Sequence, residues 1–311
     1  MDFGLPKTYS RVTGATAIRT AWESPEKNLP EAKVWRTAKA SLRPQTSPLQ
    51  RRPAGKADGS EEFACLLQPT GRFRRRSLYR ATSMRLVLFD IDGTLTRTMK
   101  ADEECFVRSL AEVCGFNDVD TDWSRYKHAT DSAVFHEIYE SRAGRSPLPS
   151  EISRFRQHFV ALLAQASSEA AFTAVAGAAQ LLSRLADSAE HRVALATGAW
   201  RDSARLKMTS AGLCYDDYPA ASSDDALDRE SIIRLSMQRA ARRYGRIGST
   251  VYVGDGVWDA RACRGVGIPF IGIATDSRAA RLYAEGAVCV FPDFSDTDLF
   301  LRSLYETTNV A

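Results

Sequence analysis

The chain has 311 residues, 44% of them apolar, with 42 basic and 38 acidic side chains, enough apolar material for the core of one large or two modest domains. No uninterrupted apolar run reaches the roughly 18 residues that a membrane-spanning helix needs. Met1-Asp2-Phe3-Gly4 lacks the basic-then-apolar layout of a signal peptide, so a soluble, cytoplasmic protein with no membrane partner is expected.

Charge divides the chain in two. Residues 1–83 hold 16 Lys/Arg against 7 Asp/Glu, whereas residues 84–311 hold 26 against 31. The first segment is rich in Pro, Ser, Thr and Arg and carries no helical or strand period. It cannot bury enough apolar surface to offset its ordering entropy, so a disordered basic extension is expected over 1–83. Its basic runs, such as Arg72-Phe73-Arg74-Arg75-Arg76, come without aromatic–basic alternation or a fold signature. Nucleic acid is therefore not the expected partner, and no protein partner is implied. The six cysteines are scattered with no C-x-x-C pair, so neither a zinc site nor a disulfide framework is favoured and reduced thiols are expected.

At Met84 the pattern changes. Arg85-Leu86-Val87-Leu88-Phe89 is a short apolar run closed by Asp90, as expected of a strand buried on both faces. From Met99 to about Ala176 no strand pattern appears. Helical stretches at Asp102–Cys114, Thr130–Ser141 and Glu151–Ser167 are instead separated by Gly115, Gly144 and the Pro147–Pro149 turn. Gly177 and a helix over Ala178–Ala186 lead back to apolar runs at Val193–Ala196, Val251–Val253, Phe270–Ala274 and Ala287–Phe291, with a further strand expected at Tyr218–Ser222. Helices at Ser203–Gly212 and Glu230–Arg243 alternate with these runs, the mark of βαβ units. The predicted fold is α/β: a doubly wound, Rossmann-like, mostly parallel sheet over 84–99 and 177–311, with an all-helical cap inserted at 100–176.

Acidic residues fall where such sheets bind ligands. In Phe89-Asp90-Ile91-Asp92-Gly93-Thr94, two carboxylates sit at the carboxyl end of the first strand. Gly93 permits a sharp turn that the Thr94 hydroxyl can tie down. One carboxylate can act as nucleophile while the other serves as acid and base. Thr197-Gly198 follows a second strand and offers a hydroxyl and an N–H to a phosphate oxygen. Asp255 and Asp259, four apart across a strand end and the next helix's first turn, suit a hard cation such as Mg²⁺. Arg229, just before a helix, is the cation expected to neutralise phosphoryl oxygens. Lys207 competes for that role, although a lysine inside a helix is ordinarily part of a solvated face.

Taken in order, Asp90-x-Asp92-Gly-Thr, Thr197, Arg229 and Gly254-Asp255-(x)3-Asp259 resemble the four motifs of the haloacid dehalogenase-like hydrolase superfamily. The helical insert looks like the C1-type cap of its phosphoglycolate phosphatase and β-phosphoglucomutase branch. The resemblance implies that Asp90 forms an aspartyl-phosphate and that Asp92 protonates the leaving alcohol and then activates water. It also implies that Mg²⁺ is held by Asp90, the Asp92 backbone carbonyl, Asp255 and Asp259. Asp92 argues against carbon–halogen cleavage, which needs no second aspartate. The expected substrate is a small phosphorylated metabolite, with Lys127, His128, Thr130 and Asp131 as cap residues that contact it. A phosphomutase shares all four motifs. A phosphonate hydrolase needs a cap lysine beyond the turn at Lys127-His128-Ala129, where Thr130 and Asp131 stand.

Overall fold

A computed structural model describes residues 84–309, and the extension expected over 1–83 lies outside them. The first strand, β1 (Met84–Phe89), is apolar at consecutive positions because both of its faces are covered. Val87 and Phe89 enter one core layer while Leu86 and Leu88 enter the other, the two-residue alternation of a pleated strand. The next strands repeat it: Val193 and Leu195 against Ala194 and Ala196 in β2 (His191–Ala196), and Val251 and Val253 against Tyr252 in β4 (Ile247–Gly254).

With β3 (Ala220–Ala221), β5 (Phe270–Ile273) and β6 (Cys289–Phe291), the sheet has six strands in the order β3-β2-β1-β4-β5-β6, and every pairing is parallel. β3 is shorter than the run Tyr218–Ser222 suggests, and β6 begins two residues later than Ala287. Helices α4 (Ala178–Ala186), α5 (Arg201–Ser210) and α9 (Thr297–Asn309) bury Leu181, Met208 and Phe300 on one face. Helices α6 (Arg229–Tyr244), α7 (Val257–Val266) and α8 (Asp276–Ala284) bury Ile232, Ala260 and Leu282 on the other. The strand order reverses beside β1, so β1, β2 and β4 all open on one crevice at their carboxyl ends.

Between β1 and α4 the chain leaves the sheet as three helices: α1 (Met99–Ser109) with a π-turn at Leu110–Cys114, α2 (Asp131–Ala143) and α3 (Pro149–Glu169). Phe106, Phe135, Phe155 and Phe159 form a core of their own. The Phe135 and Phe155 rings stack with centroids 4.3 Å apart, and Phe106 meets Phe155 edge-on at 5.1 Å. Trp200, from the loop after β2, enters this cluster and is almost completely buried. The two tethers of the insert leave the sheet side by side: Arg97 N donates to Thr173 O (2.8 Å) and Val175 N to Leu95 O (2.9 Å). Among the described residues no helix is long and apolar enough to cross a membrane.

Candidate active site

Asp90 follows β1 directly, and its backbone N donates to Val253 O of β4 (3.0 Å), so its position is fixed by two central strands. The turn after it closes on the Ile91 carbonyl, which accepts from the backbone N of Leu95 and Thr96 and from the Thr96 hydroxyl (3.1 Å). The Thr94 hydroxyl, expected to tie this turn, is instead buried with no hydrogen-bond partner among the described residues. Thr96 has taken over, because two residues further on its side chain points back across the turn. Gly93 has φ +75°, and a Cβ there would lie 2.1 Å from Asp255 Oδ2. Glycine is thus required twice, for its backbone and for the close approach.

Around Asp90 the other strand ends converge. Asp255 follows β4, and Asp259 lies in the first turn of α7, where its Oδ2 accepts from Gly256 N (3.2 Å). Carboxylate oxygens of Asp90, Asp255 and Asp259 all lie within 4.8 Å of one another, and all three residues are buried. Arg229 is the first residue of α6, not the one before it; Asp228 caps the helix by accepting from Ser231 N (2.8 Å). Its Nη1 lies 3.2 Å from Asp90 Oδ1 and 2.9 Å from Asp259 Oδ1, and its Nε donates to Ala129 O (3.2 Å). Thr197 Oγ1 accepts from Ala199 N (3.1 Å), which leaves its own proton to donate. Gly198 is pressed against the arginine: a Cβ there would meet Nη2 at 2.7 Å and Ala129 O at 2.8 Å.

Burial raises the Asp90 carboxyl, with Arg229 opposing and Asp92 adding to the rise. Burial likewise lifts Asp255 well above the ordinary range, reinforced by Asp90 and Asp259. Asp259 is pushed to about 7, again by burial first, against the pull of Arg229. Three crowded buried carboxylates with oxygen donors are chemically fitted to a hard divalent cation, whose charge reverses the sign of these shifts. Asp259 also serves its helix terminus, where an acid is favoured by the helix dipole.

On the opposite side stands Asp92. Thr98 Oγ1 donates to its Oδ1 (2.5 Å), and Lys207 Nζ lies 2.6 Å from its Oδ2. Lys207 is not on a solvated face: it is 0% exposed, and its ammonium also lies 2.6 Å from Asp102 Oδ1 in α1. Burial works against this ammonium, but Asp102, Asp92 and Asp131 outweigh it and hold its pKa above the usual value. Asp102 is raised to about 6, mainly by burial, despite Lys207. The sequence reading missed Asp102, which resembles any acid in a helix's first turn. Lys207 did carry a signal, since it falls at i+3 from Ala204 and beside Met208, on the face of α5 turned to the core.

Asp90, Asp92, Thr197, Gly198, Arg229 and Asp255 line one cavity of about 380 Å³, closed on its far side by the helical insert. Of the four expected cap contacts, Thr130 and Asp131 line it too. Lys127 and His128 do not; they border a neighbouring cavity. Lys127 is exposed, and its backbone N donates to Glu137 Oε2 (3.0 Å).

The family model of haloacid dehalogenase-like hydrolases matches residues 84–267, the span that carries β1, the insert, Thr197, Arg229 and Asp255. The chain belongs to the haloacid dehalogenase-like hydrolase family. Solved structures share its fold. A hydrolase from Pseudomonas syringae is 17% identical, with 69% of this chain and 97% of that one covered at a TM-score of 0.54. CbbY from Rhodobacter sphaeroides, in complex with phosphate, is 19% identical over 68% and 95% of the two chains at 0.52. A predicted phosphoglycolate phosphatase from Haemophilus somnus is 14% identical over 70% and 98% at 0.52. No curated protein matches the chain.

Proposed function

We propose that this family member is a Mg²⁺-dependent phosphatase that hydrolyses a small phosphomonoester through an aspartyl-phosphate on Asp90. The observation that carries the reading is the pairing of Asp90 with Arg229 and two further buried aspartates at the floor of a cavity whose opposite wall holds Asp92. Asp90, Asp255, Asp259 and the Asp92 backbone carbonyl would hold Mg²⁺, which offsets the repulsion between an anionic nucleophile and an anionic ester. An Asp90 oxygen attacks phosphorus as the ester P–O bond breaks, and the leaving oxygen takes a proton from Asp92. A water then attacks the phosphoenzyme and gives a proton to Asp92, and the P–O bond to Asp90 breaks with release of inorganic phosphate. Arg229 and the Thr197 hydroxyl stand where the phosphoryl oxygens spread their charge. A phosphonate hydrolase is less favoured, because Lys127 lies outside the cavity and Lys100, the insert lysine in the lining, is exposed beside Glu104.

Acid-quench trapping with labelled substrate tests the two roles. Asp90→Asn forms neither labelled enzyme nor product. Asp92→Asn loses about 10²–10⁴-fold in turnover, least for a good leaving group such as p-nitrophenol in the first step, and accumulates phosphoenzyme. Label trapped on Asp90→Asn, or full turnover by Asp92→Asn, refutes the assignment.

A further inference from the structure

The two ends of the cavity differ in charge. At the floor, Asp90, Asp255 and Asp259 are met by Arg229 and by Arg278, whose Nη1 lies 3.8 Å from Asp255 Oδ2. At the end that receives the leaving alcohol, the wall presents Asp92, Asp102, Glu103 and Asp131. Lys207 lies behind this wall and is shared by Asp92 and Asp102. Lys100, the cation that the helical insert adds to the lining, is exposed and lies 3.7 Å from Glu104 Oε1, turned toward solvent. Glu103 and Asp131 are held by neutral donors, Trp123 Nε1 (3.0 Å) and Trp200 N (2.8 Å). Asp92 and Asp102 thus share one lysine, while Glu103 and Asp131 have no ion-pair partner among the described residues. The remaining wall is aromatic, with Phe106 and Trp123 from the insert and Trp258 from α7.

Acidic groups interleaved with ring faces are the surroundings an ammonium group favours, through Coulomb attraction and the negative faces of the rings. A carboxylate there would face the same acids, and the two other cations of the lining already lie beside acids of their own, Lys100 beside Glu104 and Arg278 beside Asp255. From this lining we infer that the alcohol released by the enzyme carries a positive charge, an amino alcohol or its quaternary ammonium form, and is not a hydroxy acid. The inference rests on the phosphatase reading and adds the chemical class of the leaving group to it. Glu103 is its selectivity residue: it is half-buried, it lines the cavity, and it takes no part in the phosphoryl chemistry.

The test compares kcat/KM for phosphocholine and phosphoethanolamine with that for 2-phosphoglycolate, using the full chain with Mg²⁺. The cationic esters are expected to be favoured by about tenfold or more. Glu103→Gln, which can still accept from Trp123, narrows the ratio, and Glu103→Lys inverts it. Equal values for the three esters, or a preference for 2-phosphoglycolate, overturn the inference and leave the phosphatase reading standing. If no ester is hydrolysed, p-nitrophenyl phosphate included, it is the phosphatase reading that fails. Calorimetric binding of the same esters then decides the charge preference, and 2-phosphoglycolate binding as tightly as phosphocholine overturns it.

Discussion

Two buried cations organise the two ends of the cavity, and they do so differently. Arg229 bridges Asp90 and Asp259, and all three side chains come from the sheet domain, at or just beyond strand ends. Lys207 bridges Asp92 and Asp102, so its charge joins a core loop, a core helix and the first helix of the insert. The guanidinium reaches both acids through one nitrogen, Nη1, while its Nε holds the Ala129 carbonyl. The ammonium is a point charge that two carboxylates approach from different directions. One end of the cavity is therefore built mostly by the sheet domain, with the insert adding the Ala129 carbonyl, and the other by ion pairs that join insert and sheet.

The largest effect that separates the two ends comes from removing each cation. Lys207→Met leaves Asp92 and Asp102 without their shared partner and costs roughly 3–5 kcal/mol of stability, read as a lower Tm. Arg229→Met costs a similar amount in metal-free protein, but Mg²⁺ restores much of it, since the cation would sit among the same aspartates. Mg²⁺ that rescues the Tm of both variants equally would dissolve the distinction.

Both ends hold raised carboxylates, Asp102 at about 6 among them, but the phosphate end should be the one whose pH response Mg²⁺ changes. Asp259 rises from its ordinary 3.8 to about 7 in the folded chain, and Asp90 and Asp255 are raised as well. Folded protein then binds more protons than unfolded protein through that window, so the stability of the metal-free chain falls as pH climbs from about 4 to 7. Mg²⁺ should raise Tm more at pH near 8 than at pH near 5. Equal increments at the two pH values would place the binding of Mg²⁺ elsewhere.

The smallest expected effect is at Thr98, which is fully buried and donates to Asp92. Thr98→Val deletes one hydrogen bond to a charged group, about 1.5–3 kcal/mol at most in stability. It should slow turnover more for an alkyl ester than for p-nitrophenyl phosphate, as loosening of the proton donor requires. A uniform loss across leaving groups would make Thr98 a packing residue only.

The same division explains what was legible in the sequence. Asp90, Thr197 and Asp255 lie at the ends of apolar runs, and a parallel sheet brings such ends together whatever the loops do, so the period of the strands was enough to find them. The insert was legible as helices because its periodic stretches carry no strand pattern and are separated by Gly115, Gly144 and the Pro147–Pro149 turn. Its contribution to the site was not. Asp102 and Lys207 are 105 residues apart and meet only through the docking of α1 against α5, a packing outcome that no local period encodes. Lys127 misled for the same reason: its place beside a turn says nothing about which way the insert is rotated over the sheet. Trp200 belongs by sequence to the sheet domain but by packing to the insert.

The paired tethers make the insert a cassette. Leu95 and Arg97 are within backbone hydrogen-bonding distance of Val175 and Thr173, so everything between them is spliced into the sheet domain at one point. A short bypass from Arg97 to Thr173 closes the chain with almost no loop entropy and leaves the register of β1, β2 and β4 untouched. Trp200, Leu206 and Lys207, which face the insert, would need surface-compatible replacements, and Arg229 would lose the Ala129 carbonyl. A lid of another size spliced at the same junction would change one end of the cavity as a unit, and would have to return the single carbonyl that Arg229 takes from Ala129 at the other.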